Sequence, residues 1–389
     1  MNWTKIKIGS LCKVGRGSSP RPIKNAVYFE NGNIPWVKIA DATSSFRKIY
    51  KTKEFVNEYG ASFSRKLPPG SLIIATSGTL GFPMILGVEA CIHDGWLYVY
   101  DLENVDINFL YYKLITLQSY FYSKAYGAAI QNINTDILRE TEISIPSLGE
   151  QTRISKILSN YDDLIENNLR RIELLEKSAE LLYKEWFVNL RFPGYEKVEI
   201  KNGVPKGWEK KQLSILASVV MGQSPSSKFY NTENNGLPFH QGVKDFGSRF
   251  VTNTIYSSAL LRIANPFDIL FSVRAPVGRI NITLDKIVIG RGLASIRSKF
   301  NYQSFLFYQL KNHFFKEDMI GAGAIYASVG KDELNNQEIL TPCVDLLEQF
   351  QKIVIPIDKQ IENLTKQNRL LTHARDLLLP KLINGEIEV

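Results

Sequence analysis

Between Glu150 and Trp186 the chain reads EQTRISKILSNYDDLIENNLRRIELLEKSAELLYKEW. Ile154, Leu158, Tyr161, Ile165, Asn168, Ile172, Leu175, Ala179, Leu182 and Trp186 follow one another at alternating steps of four and three. That is the spacing of a coiled-coil seam. No Gly or Pro interrupts it, and the face opposite the seam is charged or polar. At ~1.5 Å per residue the stretch predicts a rod of roughly 50 Å. Propensity alone does not hold such a seam in water, so a helix this long in mid-chain needs a partner along its length. Packing on an ordinary globular core is the other way to cover it.

The C-terminal segment supplies a candidate partner. Phe350, Val354, Ile357, Ile361, Leu364, Asn368, Leu371, Arg375, Leu378 and Leu382 keep the same alternation. Leu164-Ile165-Glu166-Asn167 also precedes Gln360-Ile361-Glu362-Asn363 by 196 residues. The expected interface sets Ile154, Leu158, Ile165, Ile172, Leu175 and Leu182 against Ile357, Ile361, Leu364, Leu371 and Leu378. Pro356 and Pro380 are expected to bend or bound the second helix, which shortens its regular part. Asn168 and Asn368 fall on the seams, either as buried amides that fix register or at a solvated edge.

The two segments separated by these helices read as one plan written twice. Each opens on a tryptophan and a short amphipathic stretch, Trp3 to Leu11 and Trp208 to Leu216. A polar loop follows, Gly15-Arg16-Gly17-Ser18-Ser19-Pro20 or Gly222-Gln223-Ser224-Pro225-Ser226-Ser227. Ile34-Pro35-Trp36-Val37-Lys38 matches Leu237-Pro238-Phe239-His240-Gln241, and the apolar run Leu72-Ile73-Ile74 matches Ile269-Leu270-Phe271. Phe109-Leu110-Tyr111-Tyr112 and Phe305-Leu306-Phe307-Tyr308 again stand 196 residues apart. Repeats of this size are domains, not solenoid units. The copies share apolar strands, aromatics and turn glycines. They differ in loop polar residues: Ser77 aligns with Arg274, Trp36 with Phe239, and Gln131-Asn132 with Ala327-Ser328. The expected fold is α/β (α+β), with two similar globular domains at 1–149 and 191–344 and two long helices, 150–190 and 345–389, forming an antiparallel coiled coil.

Composition narrows the function. The 389 residues have room for two or three domains with real cores. No signal peptide or apolar run of membrane-spanning length is evident, and three dispersed cysteines suggest neither a disulfide framework nor a zinc site, so a cytoplasmic location is expected. The net charge is +8, yet residues 150–185 carry six basic against eight acidic residues and 345–388 carry six against seven. The basic excess therefore lies in the two repeated segments. That fits a polyanion-binding surface, or a Lys-rich composition spread over solvated faces.

Enzymatic motifs are missing. A methyltransferase needs an Asn/Asp-Pro-Pro-Tyr/Phe turn, and the nearest match, Asn265-Pro266-Phe267-Asp268, lacks the second proline and reads better as a turn into a strand. Gly15-Arg16-Gly17 lacks the rest of a nucleotide-binding loop, and no Walker-type loop occurs. The four histidines show no metal-ligand spacing, and His93-Asp94 reads as structural. No catalytic or metal-binding residue is assigned.

The ensemble resembles the specificity subunit of type I restriction–modification systems over nearly the whole chain. The likeness rests on the twofold repeat, on Pro146 to Gln151 leading into the first helix, on the linker Asn202-Gly203-Val204-Pro205-Lys206-Gly207-Trp208, and on the ending from Arg375 to Glu386. It implies two target recognition domains, each reading half of a split sequence in double-stranded DNA. The helices would act as a ruler and dock two methyltransferase subunits, through which motor–nuclease subunits join. S-adenosylmethionine and ATP would belong to those partners, with no cofactor in this chain. Expected phosphate contacts are Lys13, Arg16, Arg21, Lys24 and Lys38, then Lys228, Lys244, Arg279 and Arg291. Expected base-reading residues are Ser77, Thr79, Gln131 and Asn132, then Gln241, Arg274, Tyr326 and Ser328. A stand-alone DNA methyltransferase or nuclease, and a basic scaffold protein, are the alternatives.

Overall fold

The computed structural model describes residues 3–125, 132–315, 320 and 328–389. The chain divides into two compact units, Met1–Arg171 with Asn363–Val389, and Ile172–Glu362. Each contains one repeated segment and a part of each long helix.

In the first unit the opening and closing strands of the repeat, Thr4–Lys7 and Glu142–Ile145, pair antiparallel with Thr4 opposite Ile145. The module is thereby closed on itself. A five-stranded sheet runs in the order Lys13–Arg16, Trp96–Tyr100, Leu72–Ala75, Pro83–Leu86, Lys48–Ile49. A four-stranded sheet has the order Glu54–Val56, Ile34–Val37, Ala90–Ile92, Arg65–Leu67. The apolar run Leu72–Ala75 is fully buried, as a central strand covered on both faces must be. Phe109, Leu110 and Tyr112 of the helix Ile107–Thr116 pack into the same core as Ile154 and Leu158.

The second unit repeats the plan. Glu209–Gln212 pairs with Glu338–Thr341, Glu209 opposite Thr341. A four-stranded sheet orders Ala217–Met221, Leu293–Ser298, Ile269–Ser272 and Ile280–Ile282. A five-stranded one orders Tyr230–Asn231, Tyr256–Ser257, Leu237–His240, Ile287–Ile289 and Ile263–Ala264. The one parallel pairing through the middle of each second sheet is also shared: Trp36 lies opposite Cys91, and Phe239 opposite Val288.

The first long helix spans Leu148–Tyr183 and continues as a short π turn, Lys184–Val188. It begins two residues before the expected boundary because Ser147 and Glu150 form a capping box. The Glu150 amide donates to Ser147 Oγ at 3.4 Å, and the Ser147 amide donates to Glu150 Oε2 at 3.1 Å. The second helix spans Val344–Ile383 without a break. Neither Pro356 nor Pro380 bounds it, so the expected shortening of its helical part does not occur. Both prolines are exposed, and so are Lys352 and Asp376, whose carbonyls lose their partners and can bond water instead. Val354, Ile361, Leu379 and Leu382 remain buried and carry the helix past both sites.

Within each unit the two helices run antiparallel. In the first, Asn168 Nδ2 donates to Asn368 Oδ1 at 2.9 Å, and Asn368 Nδ2 approaches the Ile165 carbonyl at 3.5 Å, both amides buried. That resolves the choice left by the sequence: the amides face one another inside the seam. In the second, Tyr183 and Trp186 stack edge-on against Phe350, with centroids 6.1 and 5.9 Å apart. Of the expected interface residues, Ile154, Leu158, Ile165, Ile172, Ile361 and Leu364 are buried, while Leu175, Leu182, Ile357, Leu371 and Leu378 are half-buried. Ile154 and Leu158 lie in the first module's core, so part of the seam is covered by globular packing and part by the facing helix.

Candidate nucleic-acid interface

In the first module three loops meet along one edge. The polar loop after Lys13–Arg16 is pinned by the Gly17 amide donating to the Trp96 carbonyl at 2.8 Å and the Ser18 amide to the Ile92 carbonyl at 3.2 Å. The turn His93–Gly95 closes through the Trp96 amide to the His93 carbonyl at 3.1 Å. The Thr76 amide donates to the Gly95 carbonyl at 2.9 Å, which brings in the turn Ser77–Leu80. The Ile133 amide donates to the Thr76 carbonyl at 3.1 Å, so Asn132 joins the group.

The second module makes the same bonds with different residues. The Gly222 and Gln223 amides donate to the Leu293 and Ile289 carbonyls, both at 2.9 Å. The Leu293 amide donates to Gly290 at 3.0 Å, the Val273 amide to Gly292 at 2.9 Å, and the Val329 amide to Val273 at 2.9 Å. Ser77 and Arg274 are thus structural counterparts, as are Asn132 and Ser328. Glycine is required at Gly17 and Gly222 because an added Cβ would stand 2.1 Å from the His93 and Gly290 carbonyl oxygens respectively.

On this shared backbone the charges differ. Asp94 organises the first edge: it accepts from Ser19 Oγ at 2.8 Å and from Arg21 at 2.5 Å, and its carbonyl accepts from Arg16 Nε at 2.8 Å. Partial burial opposes its ionisation, yet the Ser19 hydroxyl and the Arg21 guanidinium hold the carboxyl below its ordinary value. His93 lies between the Trp36 and Trp96 rings, at 6.0 and 6.4 Å, and burial keeps it below its usual pKa and neutral. At the position of Asp94 the second module has Arg291, exposed, with its amide donating to Ser224 Oγ at 3.1 Å. Ser224 in turn donates to Gln241 Oε1 at 2.8 Å. Polar loops on such an edge can offer donors and acceptors to phosphates and base edges.

The structure groups Arg16, Arg21, Ser77, Thr79 and Asn132 along the first edge, and Gln241, Arg274, Arg291 and Ser328 along the second. Ser77, Arg274, Gln241 and Ser328 are exposed. Among the described residues, Thr79 Oγ1 and Asn132 Oδ1 are buried without a hydrogen-bond partner, atoms that water or a ligand must satisfy. Lys38 follows Trp36, lies 5.1 Å over its ring and pairs with Glu54. Lys13 is not part of the group: it sits at the other end of its strand and pairs with Asp101 at 2.8 Å. Arg279 instead lines a cavity with Glu180, Lys184, Tyr308 and Lys311. Lys24, Lys228 and Lys244 are exposed, Lys228 lying 5.1 Å over the Phe229 ring. Gln131 and Tyr326 lie outside the described residues.

Sequence reasoning missed Asp94, Ser19 and Ser224 as members of the edge. The turn Asn265–Asp268 is structural, as expected. Asp268 accepts from the Asn265 amide at 2.9 Å, Ser295 Oγ at 2.6 Å and Arg297 Nε at 2.5 Å, which leaves its carboxylate committed. Among the described residues no His/Cys/Asp/Glu group is arranged to hold a metal, and no helix is long and apolar enough to cross a membrane.

The family model of the type I restriction modification DNA specificity domain matches residues 1–177 and 205–372. The putative type I restriction enzyme MjaX specificity subunit of Methanocaldococcus jannaschii is 35% identical over 264 residues, which cover 66% of this chain and 62% of that protein. The MjaIX specificity subunit of the same organism is 29% identical over 412 residues, covering 100% of this chain and 94% of that protein. The crystal structure of the type I restriction–modification S subunit from M. genitalium shares the fold with a TM-score of 0.61 at 18% identity, over 98% of this chain and 96% of that one.

Proposed function

We propose, from the premise that this chain belongs to the type I restriction modification DNA specificity family, that each module reads one half of a bipartite, asymmetric DNA target. The chain is a DNA-recognition component of a type I restriction–modification complex and is not its catalyst. One observation carries the split-target reading. The same hydrogen-bonded edge is built twice, with Asp94, Ser77 and Asn132 on one copy and Arg291, Arg274 and Ser328 on the other. Equal backbones bearing unequal polar groups suit two different base sequences.

The long helices set the spacer between the half-sites and dock methyltransferase subunits, two per chain. Restriction subunits join through these, S-adenosylmethionine and ATP are bound by the partners, and the complex works in the cytoplasm. The exposed Leu164, Leu169, Leu174, Leu181, Leu370 and Leu377 on the helices supply apolar surface for such docking. A rod of roughly 50 Å against ~3.4 Å per base pair suits half-sites about one helical turn apart.

The test is a map of methylated sites in cells with and without this chain. One split sequence should lose methylation when the chain is removed. An unchanged map refutes the reading. Methyl transfer to DNA by the purified chain alone would instead make it an enzyme.

A further inference from the structure

Asp162 and Asp358 stand 196 residues apart, the interval of the helix repeat, and each meets a tyrosine separated by the same interval. Tyr112 Oη donates to Asp162 Oδ2 at 2.6 Å, and Tyr308 Oη donates to Asp358 Oδ1 at 2.9 Å. The tyrosines belong to the modules and the aspartates to the long helices. An arginine completes each group from an equivalent backbone position: the Arg47 carbonyl accepts the Ile85 amide at 3.2 Å, and the Arg249 carbonyl the Ile282 amide at 2.8 Å. Arg47 lies over Tyr111 and Tyr112 at 5.4 and 5.5 Å, and Arg249 over Phe307 and Tyr308 at 4.6 and 5.5 Å.

The two groups close differently. Arg249 donates to Tyr308 Oη at 2.9 Å and to Asp358 Oδ1 at 2.5 Å. Arg47 reaches Asn108 Oδ1 at 2.5 Å and Asp163 Oδ1 at 3.3 Å, while Asp162 Oδ1 is taken by Arg375 of the second helix at 2.6 Å. Arg47, Tyr112, Asp162, Arg249 and Tyr308 are each less than 5% exposed. Burial, added to by the neighbouring aspartates, pushes both tyrosine hydroxyls up, so they stay protonated and donate.

Burying an ion pair gives little net stability, and a well-packed apolar cluster of the same volume does as well or better. Directed hydrogen bonds do something apolar packing does not: they fix the angle and register of the groups they join. Both copies sit where a module meets the long helices. We propose that Tyr112–Asp162 and Tyr308–Asp358, with their arginines, are two copies of one positioning joint that sets each recognition domain's place on the helices, and so the spacer its half-site tolerates. The joint reads no base. This rests on the split-target reading above.

The experiment maps methylated sites in cells carrying the complete complex with Tyr308→Phe, which removes one oxygen atom, or Asp358→Asn. Both half-sequences should stay unchanged, while methylation at sites with one base pair more or fewer in the spacer rises about tenfold. Methylation that falls evenly with the same single spacer overturns the joint and leaves it a merely structural contact. An altered half-sequence overturns it as well, marking a base reader. If Asp358→Asn yields no folded chain, Tyr308→Phe decides alone. Failure of the split-target reading shows separately, as a map that removal of the wild-type chain does not change.

Discussion

At one turn the two modules hold opposite charges on the same backbone. Asp94 in the first draws Arg16 and Arg21 into contacts within the protein. Arg291 in the second stands exposed beside Ser224 and Gln241. The surrounding amide-to-carbonyl bonds match pair for pair, and so does the demand for glycine at Gly17 and Gly222. A scaffold held by main-chain bonds and close-packed glycines leaves its rim side chains free to diverge. Recognition can then change without refolding the module.

The largest expected effect tests the shared half of this comparison. Gly17→Ala and Gly222→Ala each force a Cβ against a carbonyl oxygen that no rotamer change can move. Each should cost roughly 1–3 kcal/mol by thermal unfolding, in both modules alike. Tolerance in one module alone would break the equivalence of the edges.

The charge contrast gives effects of opposite sign. Arg291→Ala should weaken binding of the assembled complex to its duplex by ~1–3 kcal/mol. Asp94→Ala should release Arg21, whose partner is the carboxylate, while Arg16 keeps its bond to the main-chain carbonyl. Non-specific affinity should rise and the salt dependence steepen by about one phosphate equivalent. Titrations across salt concentration measure both, and a change in the same direction for both variants contradicts the contrast. At the neighbouring turn, Arg274→Ala should cost ~1–3 kcal/mol and relax one position of the second half-site. Ser77→Ala should cost about 0.5–1.5 kcal/mol at the first half-site, as expected for one neutral hydrogen bond. Uniform weakening across sequences would assign Arg274 to the phosphate backbone.

The smallest effect is shared by both modules and depends on pH. Burial holds His93 and His240 below their ordinary value of 6.5, so each is neutral in the fold. As pH falls below about 6.5 the unfolded chain takes up protons that the folded chain does not, and stability falls with it. Melting temperatures at pH 7.5 and 5.5 should show the loss, and His93→Gln should reduce it. An unchanged difference in that variant would mean that His93 titrates alike in both states.

Much of the fold is legible in the sequence because its signals are periodic. The unbroken four-three seam marks the first long helix, and the 196-residue interval marks the repeat. Pro356 and Pro380 mislead because a local rule gives the cost of a lost bond but not the exposed position that lets water replace it. The candidate edge is legible in part. Gln241 and Arg274 stand in segments that the repeat aligns, and the structure keeps them there, whereas the match of Arg291 to Asp94 shows only in the main-chain bonds. Arg16, Arg21 and Lys13 read as free cations because their partners, Asp94 and Asp101, lie more than seventy residues away. The Asp162 and Asp358 joints escape notice for a related reason. An acidic residue flanking a seam reads as solvated until a tyrosine from another element is seen to bond it, although its recurrence at 196 residues was available as a signal.

The central claim is that two matched edges read two different short sequences, each on its own. Mapping methylated sites in cells that carry the complex with Arg274→Ala and Arg291→Ala together tests it most directly. The account predicts a relaxed second half-sequence beside an untouched first one. Loss of selectivity in both halves, or in the first alone, would contradict it.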